Sequence, residues 1–381
     1  MLSGAAVQSD FVHDEAAFRA RIPYPLVRTN VRGVYASPPP SRDLEPGKAS
    51  ACELVKNGLL WRRPCATDVP ALQRAWQRVF SREWAAKNRI VPELHPELRR
   101  THALKQPMRK IADTRFVNSA WAGALTQGGS WTGIIGFWKI PTMTKSLEAE
   151  SQGDDWTASS WIGLDGFGAG IIPNDLLHAG IERRLSAKGE ASCVAWFEWY
   201  APAQAGSPPY VYQTNVQNFA VSAGQDIFCS VQYIGNTAGQ IYFANETTGQ
   251  HFSITLAPPP GATFNGNSAE WIAEAPQGSE ASTPPPRFGP VEFTSAIACS
   301  SSGALGNPQR GETADIEDSS GRILTSVKLG DYAAGVDFIA RRPDGARQRR
   351  GQRDSSVREN WAGAGRPSDE TTSCIGRDPR R

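Results

Sequence analysis

Along most of this chain apolar and polar residues alternate in short runs instead of recurring at helical intervals. Between 113 and 340 the runs 131–140, 159–164, 193–200, 226–234, 240–244 and 251–256 are rich in aromatic and β-branched residues. Such side chains fit a pleated, half-buried surface. Asn236-Thr237-Ala238-Gly239 and Thr247-Thr248-Gly249-Gln250 separate the later runs as turns. The pattern predicts many short strands and therefore an all-β domain, an antiparallel sandwich in preference to a barrel. Pro258-Pro259-Pro260 and Pro284-Pro285-Pro286 lie on either side of Ala269-Glu270-Trp271 and bound a strand there.

One segment follows the other period. Leu72, Ala75, Trp76, Val79 and Phe80 fall at i, i+3, i+4, i+7 and i+8, with Thr67 or Asp68 as a cap and Pro70 in the first turn. This spacing predicts an amphipathic helix over about 70–86 that needs an apolar partner surface. Residues 1–112 are thus an N-terminal extension or prosegment-like region, partly helical. Residues 113–340 are the β domain. Residues 341–381, Arg-rich and short of large apolar side chains, are expected to be a disordered tail.

Composition narrows the function classes. The chain has 381 residues, 40% hydrophobic, with a formal charge of +2. From 118 to 300 there are 15 Asp/Glu against 6 Lys/Arg, so an acidic module lies between basic flanks. A surface poor in Lys and Arg gathers less positive charge at low pH. The basic tail has no interleaved aromatics or folded motif, so no specific nucleic-acid role is expected. There is no run of 18 apolar residues and no membrane span is expected. The first residues show neither a basic n-region nor a long apolar h-region, and localisation stays open.

The six Cys include no C-x-x-C pair and the five His show no ligand spacing, so no metal or other cofactor is expected. Cys193 and Cys229 lie in apolar runs and read as buried thiols, whereas Cys52 and Cys65 are close enough in sequence for a disulfide. No G-x-S-x-G occurs. Asn245-Glu246-Thr247 is a glycosylation sequon.

Glu270 and Glu274 are four apart on an expected strand, hence on one face and about 13 Å apart. A glycosidase pair needs roughly 5–9.5 Å, so these two are not one. Asp165 precedes Gly166 at the end of an apolar strand. Alternation puts Trp196, Glu198 and Tyr200 together on one face, where they would floor a groove for an extended peptide.

Five motifs occur in order: Trp121-Ala122-Gly123-Ala124, Trp161-Ile162-Gly163-Leu164-Asp165-Gly166, Leu177-His178-Ala179-Gly180, Trp196-Phe197-Glu198-Trp199-Tyr200 and Ala269-Glu270-Trp271-Ile272-Ala273-Glu274. Together they resemble the glutamic endopeptidases (eqolisins). The resemblance implies a concanavalin A-like sandwich of two antiparallel sheets. It also implies a catalytic role for Glu274, with His178 standing where the family usually has a Gln. Trp121 is placed near the substrate groove, and Asp165 and Glu198 at supporting acidic positions; Glu270 shares the face of Glu274.

The expected function is acid-acting hydrolysis of peptide bonds in a polypeptide substrate by a monomer. Glu274 is the general base and His178 holds the oxyanion or water-orienting position. The alternative is a catalytically impaired homologue that binds peptide or carbohydrate on the same sandwich.

Overall fold

The computed structural model describes residues 14–41, 43–61, 63–80, 88–97, 108–144, 156–167, 175–201, 213–235, 237–275 and 287–339. The expected disordered tail and the end of the expected helix, 81–86, lie outside them.

The strand runs form as the alternation predicts, and they stack into two sheets. Five central strands of one sheet carry the sequence motifs: β1 (Trp121–Gln127), β2 (Trp156–Asp165), β3 (Leu176–Leu185), β4 (Ala191–Tyr200) and β5 (Ser268–Glu274). Their order is β4-β3-β2-β5-β1, every pair antiparallel. Thr214–Val216 and then Leu94–Pro96 extend the sheet beyond β4; Glu312–Ile316, Arg115–Asn118 and Arg109–Ala112 extend it beyond β1. The pairing of Glu312–Ile316 with Arg115–Asn118 is parallel.

The second sheet runs Val27–Arg28, Val34–Ala36, His251–Leu256, Ala238–Asn245, Asp226–Ile234, Trp131–Lys139, Val291–Ser300, Ala333–Phe338, Thr325–Gly330. Leu305–Gly306 pairs with Val291–Ser300 as a branch. Between 113 and 340 the described helical structure is a single 3₁₀ turn, Pro308–Arg310.

The core lies between the sheets. Leu177, Ala179, Ile181, Phe197, Trp199, Ile162, Leu164 and Trp271 come from the first sheet and meet Ile134, Trp138, Ile227, Val231, Ile241 and Phe243 from the second. The Trp271 indole N–H donates to the Ile135 carbonyl at 2.9 Å, so this core Trp satisfies its one polar atom across the gap.

Among the described residues three helices precede the sandwich: α1 (Glu15–Arg21), α2 (Ala51–Lys56) and α3 (Pro70–Phe80). The apolar stripe of α3 packs with Trp61 on Ile135, Phe137, Phe228, Tyr242 and Ile297, the outer face of the second sheet. No helix of the described residues is long and apolar enough to cross a membrane.

One expectation, that Cys193 is a buried thiol, is corrected. Cys193 is half-buried; Cys229 is fully buried. Asn245 of the sequon is buried, and its side-chain N–H groups donate to Ala220 O at 3.0 Å and Gln225 Oε1 at 2.9 Å, so no glycan fits there in the folded state.

Candidate active site

On β3, Leu177, Ala179 and Ile181 point into the inter-sheet core, so His178, Gly180 and Glu182 project from the opposite face. Register then fixes what lies beside them. Across β4, β3, β2, β5 and β1 one row reads Glu198, His178, Gly163, Glu270, Leu125. The next row is Trp196, Gly180, Trp161, Ile272, Gly123, and the one after is Val194, Glu182, Ser159, Glu274, Trp121. The expected site residues Trp121, His178, Glu198, Glu270 and Glu274 therefore share one face. His178 and Glu274 do not face each other directly: Trp161 occupies the row between them.

Trp161 organises this face. Its indole N–H donates to Glu274 Oε2 at 2.7 Å, a short charge-assisted bond. Its ring meets Trp121 edge-on at 4.8 Å and His178 at 5.1 Å. Gly180 makes room for it, since a Cβ there would collide with Ser160 O and the Trp161 Cβ. His178 stands edge-on between Trp161 and Trp196, whose ring centroid is 4.9 Å away. Gly163 leaves space for this ring: a Cβ there would lie 2.9 Å from the His178 Cβ. The glycines of the Leu-His-Ala-Gly and Trp-Ile-Gly motifs are thus steric requirements of the aromatic packing.

His178 and Glu198 are both fully buried. The His178 Nδ1–H donates to the Glu198 backbone carbonyl at 3.2 Å, and Nε2 lies 3.7 Å from Glu198 Oε2. Trp196 donates from its indole N–H to Ser159 Oγ at 2.9 Å, and Ser159 in turn donates to Ile181 O at 3.2 Å.

Glu270 is fully buried on the row of His178. Burial pushes its carboxyl well above the usual range, and the nearby charge of Asp165 adds to the rise. The Ser268 hydroxyl is close enough to oppose this slightly, but neither carboxyl oxygen of Glu270 has a hydrogen bond of normal geometry.

Asp165, expected at a supporting acidic position, turns its carboxylate to the backbone of a neighbouring loop. Its oxygens accept from the backbone N–H groups of Asn265 at 2.7 Å, Gly266 at 3.0 Å and Asn267 at 2.7 Å, which clamps the loop leading into β5. Burial raises its pKa, and those three N–H groups oppose the rise. Asp175 does similar work nearby, accepting from Thr263 N–H at 2.8 Å and the Trp199 indole at 3.3 Å.

A polar cluster on the same face was not among the sequence candidates. Glu182 Oε2 accepts from Gln213 Nε2 at 3.2 Å, and Glu182 Oε1 pairs with Arg184. Arg184 lies 3.5 Å from Glu97 Oε1, which also accepts from Asn215 Nδ2 at 3.0 Å. The parity of Glu182 with His178 marks it for this face; Arg184 is its neighbour two residues on, whereas Gln213, Asn215 and Glu97 come from distant parts of the chain and leave no local signal. Among the described residues no group of three or more His, Cys, Asp or Glu is arranged to hold a metal ion.

The Peptidase A4 family model matches residues 119–336, over half of the chain and all five site strands. The chain belongs to the Peptidase A4 family. It is similar to Aspergillopepsin-2 of Aspergillus niger, with 26% identity over 235 residues, covering 58% of this chain and 78% of that protein. Among solved structures, scytalido-glutamic peptidase with a transition state analog inhibitor matches with a TM-score of 0.47 and 20% identity, over 58% of this chain and 99% of that one. The aspergilloglutamic peptidase of Aspergillus niger matches with a TM-score of 0.42 and 28% identity, over 48% and 99% respectively. The family gives this Peptidase A4 member a glutamic-endopeptidase-like function on a polypeptide substrate. The roles of individual side chains are a separate matter.

Proposed function

We propose that this protein hydrolyses internal peptide bonds at acid pH, with Glu274 as general base and His178 at the position that meets the oxyanion and orients the water. Glu274 takes a proton from water as the water oxygen bonds to the peptide carbonyl carbon and the carbonyl electron pair moves onto oxygen. The carboxyl then passes that proton to the amide nitrogen as the C–N bond breaks, releasing an acid and an amine. Trp121 lines the groove beside Glu274, and Glu198 and Glu270 flank His178 on the same face.

One observation carries this reading: a single indole, Trp161, bonds the Glu274 carboxylate at 2.7 Å and abuts the His178 ring at 5.1 Å. The carboxylate is thereby held in one orientation, and Trp161, in the row between, links it to the imidazole, so that a base and a donor stand on one face.

A second reading has its own support. Both His178 nitrogens lie against Glu198, so the ring must turn before it can donate to a substrate. In that reading the protein is an impaired homologue that binds peptide without cleaving it.

Cleavage of a quenched peptide from pH 2 to 7 separates the two. The peptidase reading expects acid-range cleavage by the wild type and loss to background in Glu274→Gln. Equal rates for both would overturn it. An inert wild type with cleavage restored in His178→Gln would establish the impaired form.

A further inference from the structure

In the second sheet Ile241, Phe243, Phe252 and Ile254 point into the core between the sheets. Alternation turns Gln240, Tyr242, His251, Ser253 and Thr255 to the outer face, where Gln240 is paired with Thr255 and Tyr242 with Ser253. A face of this composition suits water, yet all five side chains are buried. Their cover comes from the residues before 113. The Tyr24 hydroxyl accepts from Gln240 Nε2 at 3.0 Å and shares a 2.9 Å hydrogen bond with Thr255 Oγ1. Gln240 Nε2 also donates to the Gly58 carbonyl at 2.9 Å, and the Ser37 hydroxyl donates to Ser253 Oγ at 3.3 Å. These neutral groups satisfy one another, as buried polar groups must.

Arg89 enters the same layer without such partners. It forms a parallel bridge with His251, and the Ile90 N–H donates to the His251 carbonyl at 2.9 Å. Bridged residues turn their side chains to the same side of a sheet, so Arg89 follows His251 to the outer face. Only 5% of Arg89 is exposed, and its Nε, Nη1 and Nη2 have no hydrogen-bond partner among the described residues. Five N–H donors and a unit charge are thereby withdrawn from water. Burial lowers the guanidinium to about 10, which leaves it charged at neutral pH. Among the described residues the ionisable groups acting on it are the Tyr242 and Tyr24 phenols, and no carboxylate joins them. Burial pushes Tyr24 up to about 12, so this phenol is neutral wherever Arg89 is charged. His251 beside it carries no negative charge, and Glu246, which follows Ala238–Asn245, is held by Arg78.

A buried cation without a counter-charge carries a large desolvation penalty, and a bound anion removes it. We propose that Arg89 holds one small monovalent anion of the halide type, enclosed between the residues before 113 and the outer face of the second sheet. Charge sets the valence: one guanidinium balances one negative charge, and a divalent sulfate or phosphate would leave a second charge buried. The close cover of Tyr24, Ser37 and Gly58 favours an ion of one atom over an organic acid. The site lies on the other sheet from Glu274 and His178 and does not depend on the proposed catalysis. Its consequence is structural. An anion that binds the folded state alone fastens the N-terminal residues to the sandwich by mass action.

The test is urea unfolding of the full-length protein at pH 7 across a chloride series, with gluconate holding the ionic strength constant. Once chloride exceeds its dissociation constant, each tenfold rise should add about 1.4 kcal/mol to the unfolding free energy of the wild type. Arg89→Met should remove this dependence. Arg89→Lys keeps the charge without the planar fork and should need more chloride for the same gain. Crystals of the full-length protein soaked in bromide should show an anomalous peak within hydrogen-bond reach of the Arg89 guanidinium. Equal chloride dependence in the wild type and Arg89→Met overturns the proposal, as does the absence of bromide at Arg89. A bromide peak without any chloride dependence of stability is an adventitious ion only and also overturns it. Sulfate that stabilises as strongly as chloride, with loss of both effects in Arg89→Met, overturns the monovalent assignment. If Arg89→Met does not fold, the wild-type series, its comparison with Arg89→Lys and the bromide position decide.

Discussion

Glu270 makes stability depend on pH in an unusual direction. Its side chain is fully buried and burial holds its carboxyl well above the ordinary value of 4.5. In the unfolded chain the same group titrates near its ordinary value, so the folded state binds the proton more tightly. The contribution to stability is therefore complete below about pH 4.3 and is lost as pH rises toward the folded pKa. Over that window one proton corresponds to about 1.4 kcal/mol per pH unit. Asp165 and Asp175, both raised by burial, act with the same sign from a lower starting point.

Glu270→Gln preserves shape and polarity but does not titrate. Urea unfolding at pH 4, 5, 6 and 7 should find the two proteins similar at pH 4. The variant should then gain on the wild type by up to about 1.4 kcal/mol for each further unit until the folded pKa is passed. Asp165 and Asp175 contribute to the residual slope of the variant with the same sign. Parallel curves for the two proteins across the range would refute the assignment of a protonated carboxyl at 270.

Two further substitutions probe the same physics elsewhere. Trp161→Phe removes the N–H bonded to Glu274; kcat/KM should fall roughly tenfold or more, and the urea midpoint should fall with it by about 1.5–3 kcal/mol of stability, because a buried carboxyl loses its donor and the smaller ring leaves a gap. Arg183 is buried, none of its guanidinium nitrogens has a hydrogen-bond partner among the described residues, and burial lowers its pKa to about 10, so it remains charged at neutral pH. Arg183→Met should raise the urea midpoint, by about 1 kcal/mol or more of stability, because an unpaired buried charge is replaced by an apolar side chain of similar length.

Strand positions were legible in the sequence because period-two alternation is local. The runs read at 226–234 and 251–256 match Asp226–Ile234 and His251–Leu256 residue for residue, and 193–200 lies within Ala191–Tyr200. Alternation also placed Trp196, Glu198 and Tyr200 on one face, as found: Phe197 and Trp199 pack in the inter-sheet core while Trp196 and Tyr200 pack on the other side. Register was not legible, because it depends on which strands become neighbours. Nothing local to Trp161 signals that its indole reaches Glu274 from 113 residues away. The partners of Asp165 were not legible for the same reason: its carboxylate serves backbone N–H groups of 265–267, a loop that reaches it only after the sheet has formed. The polar cluster of Glu182, Arg184, Gln213, Asn215 and Glu97 draws on three separate parts of the chain.

The residues before 113 join this architecture chiefly at sheet edges and on the outer face of the second sheet, with Glu97 reaching the polar cluster on the motif-bearing face. Val34–Ala36 pairs with His251–Leu256 in the second sheet, and Leu94–Pro96 pairs with Thr214–Val216 at an edge of the first. On the outer face of the second sheet Trp61 stacks on Phe228 at 5.1 Å, Trp76 meets both Trp61 and Phe80, and Arg78 lies over the Phe137 ring at 4.2 Å while reaching Glu246. Each of these large rings is worth about 3–5 kcal/mol against Ala, and a domain's whole net stability is about 5–15 kcal/mol. Release of this segment would uncover Phe228, Tyr242 and Ile297 together and cost a large share of that total. A segment whose removal strips a sheet of its cover and both sheets of a strand acts as part of the folded body. If the chain is cut during maturation, the described strands and α3 have physical reason to stay bound after the cut.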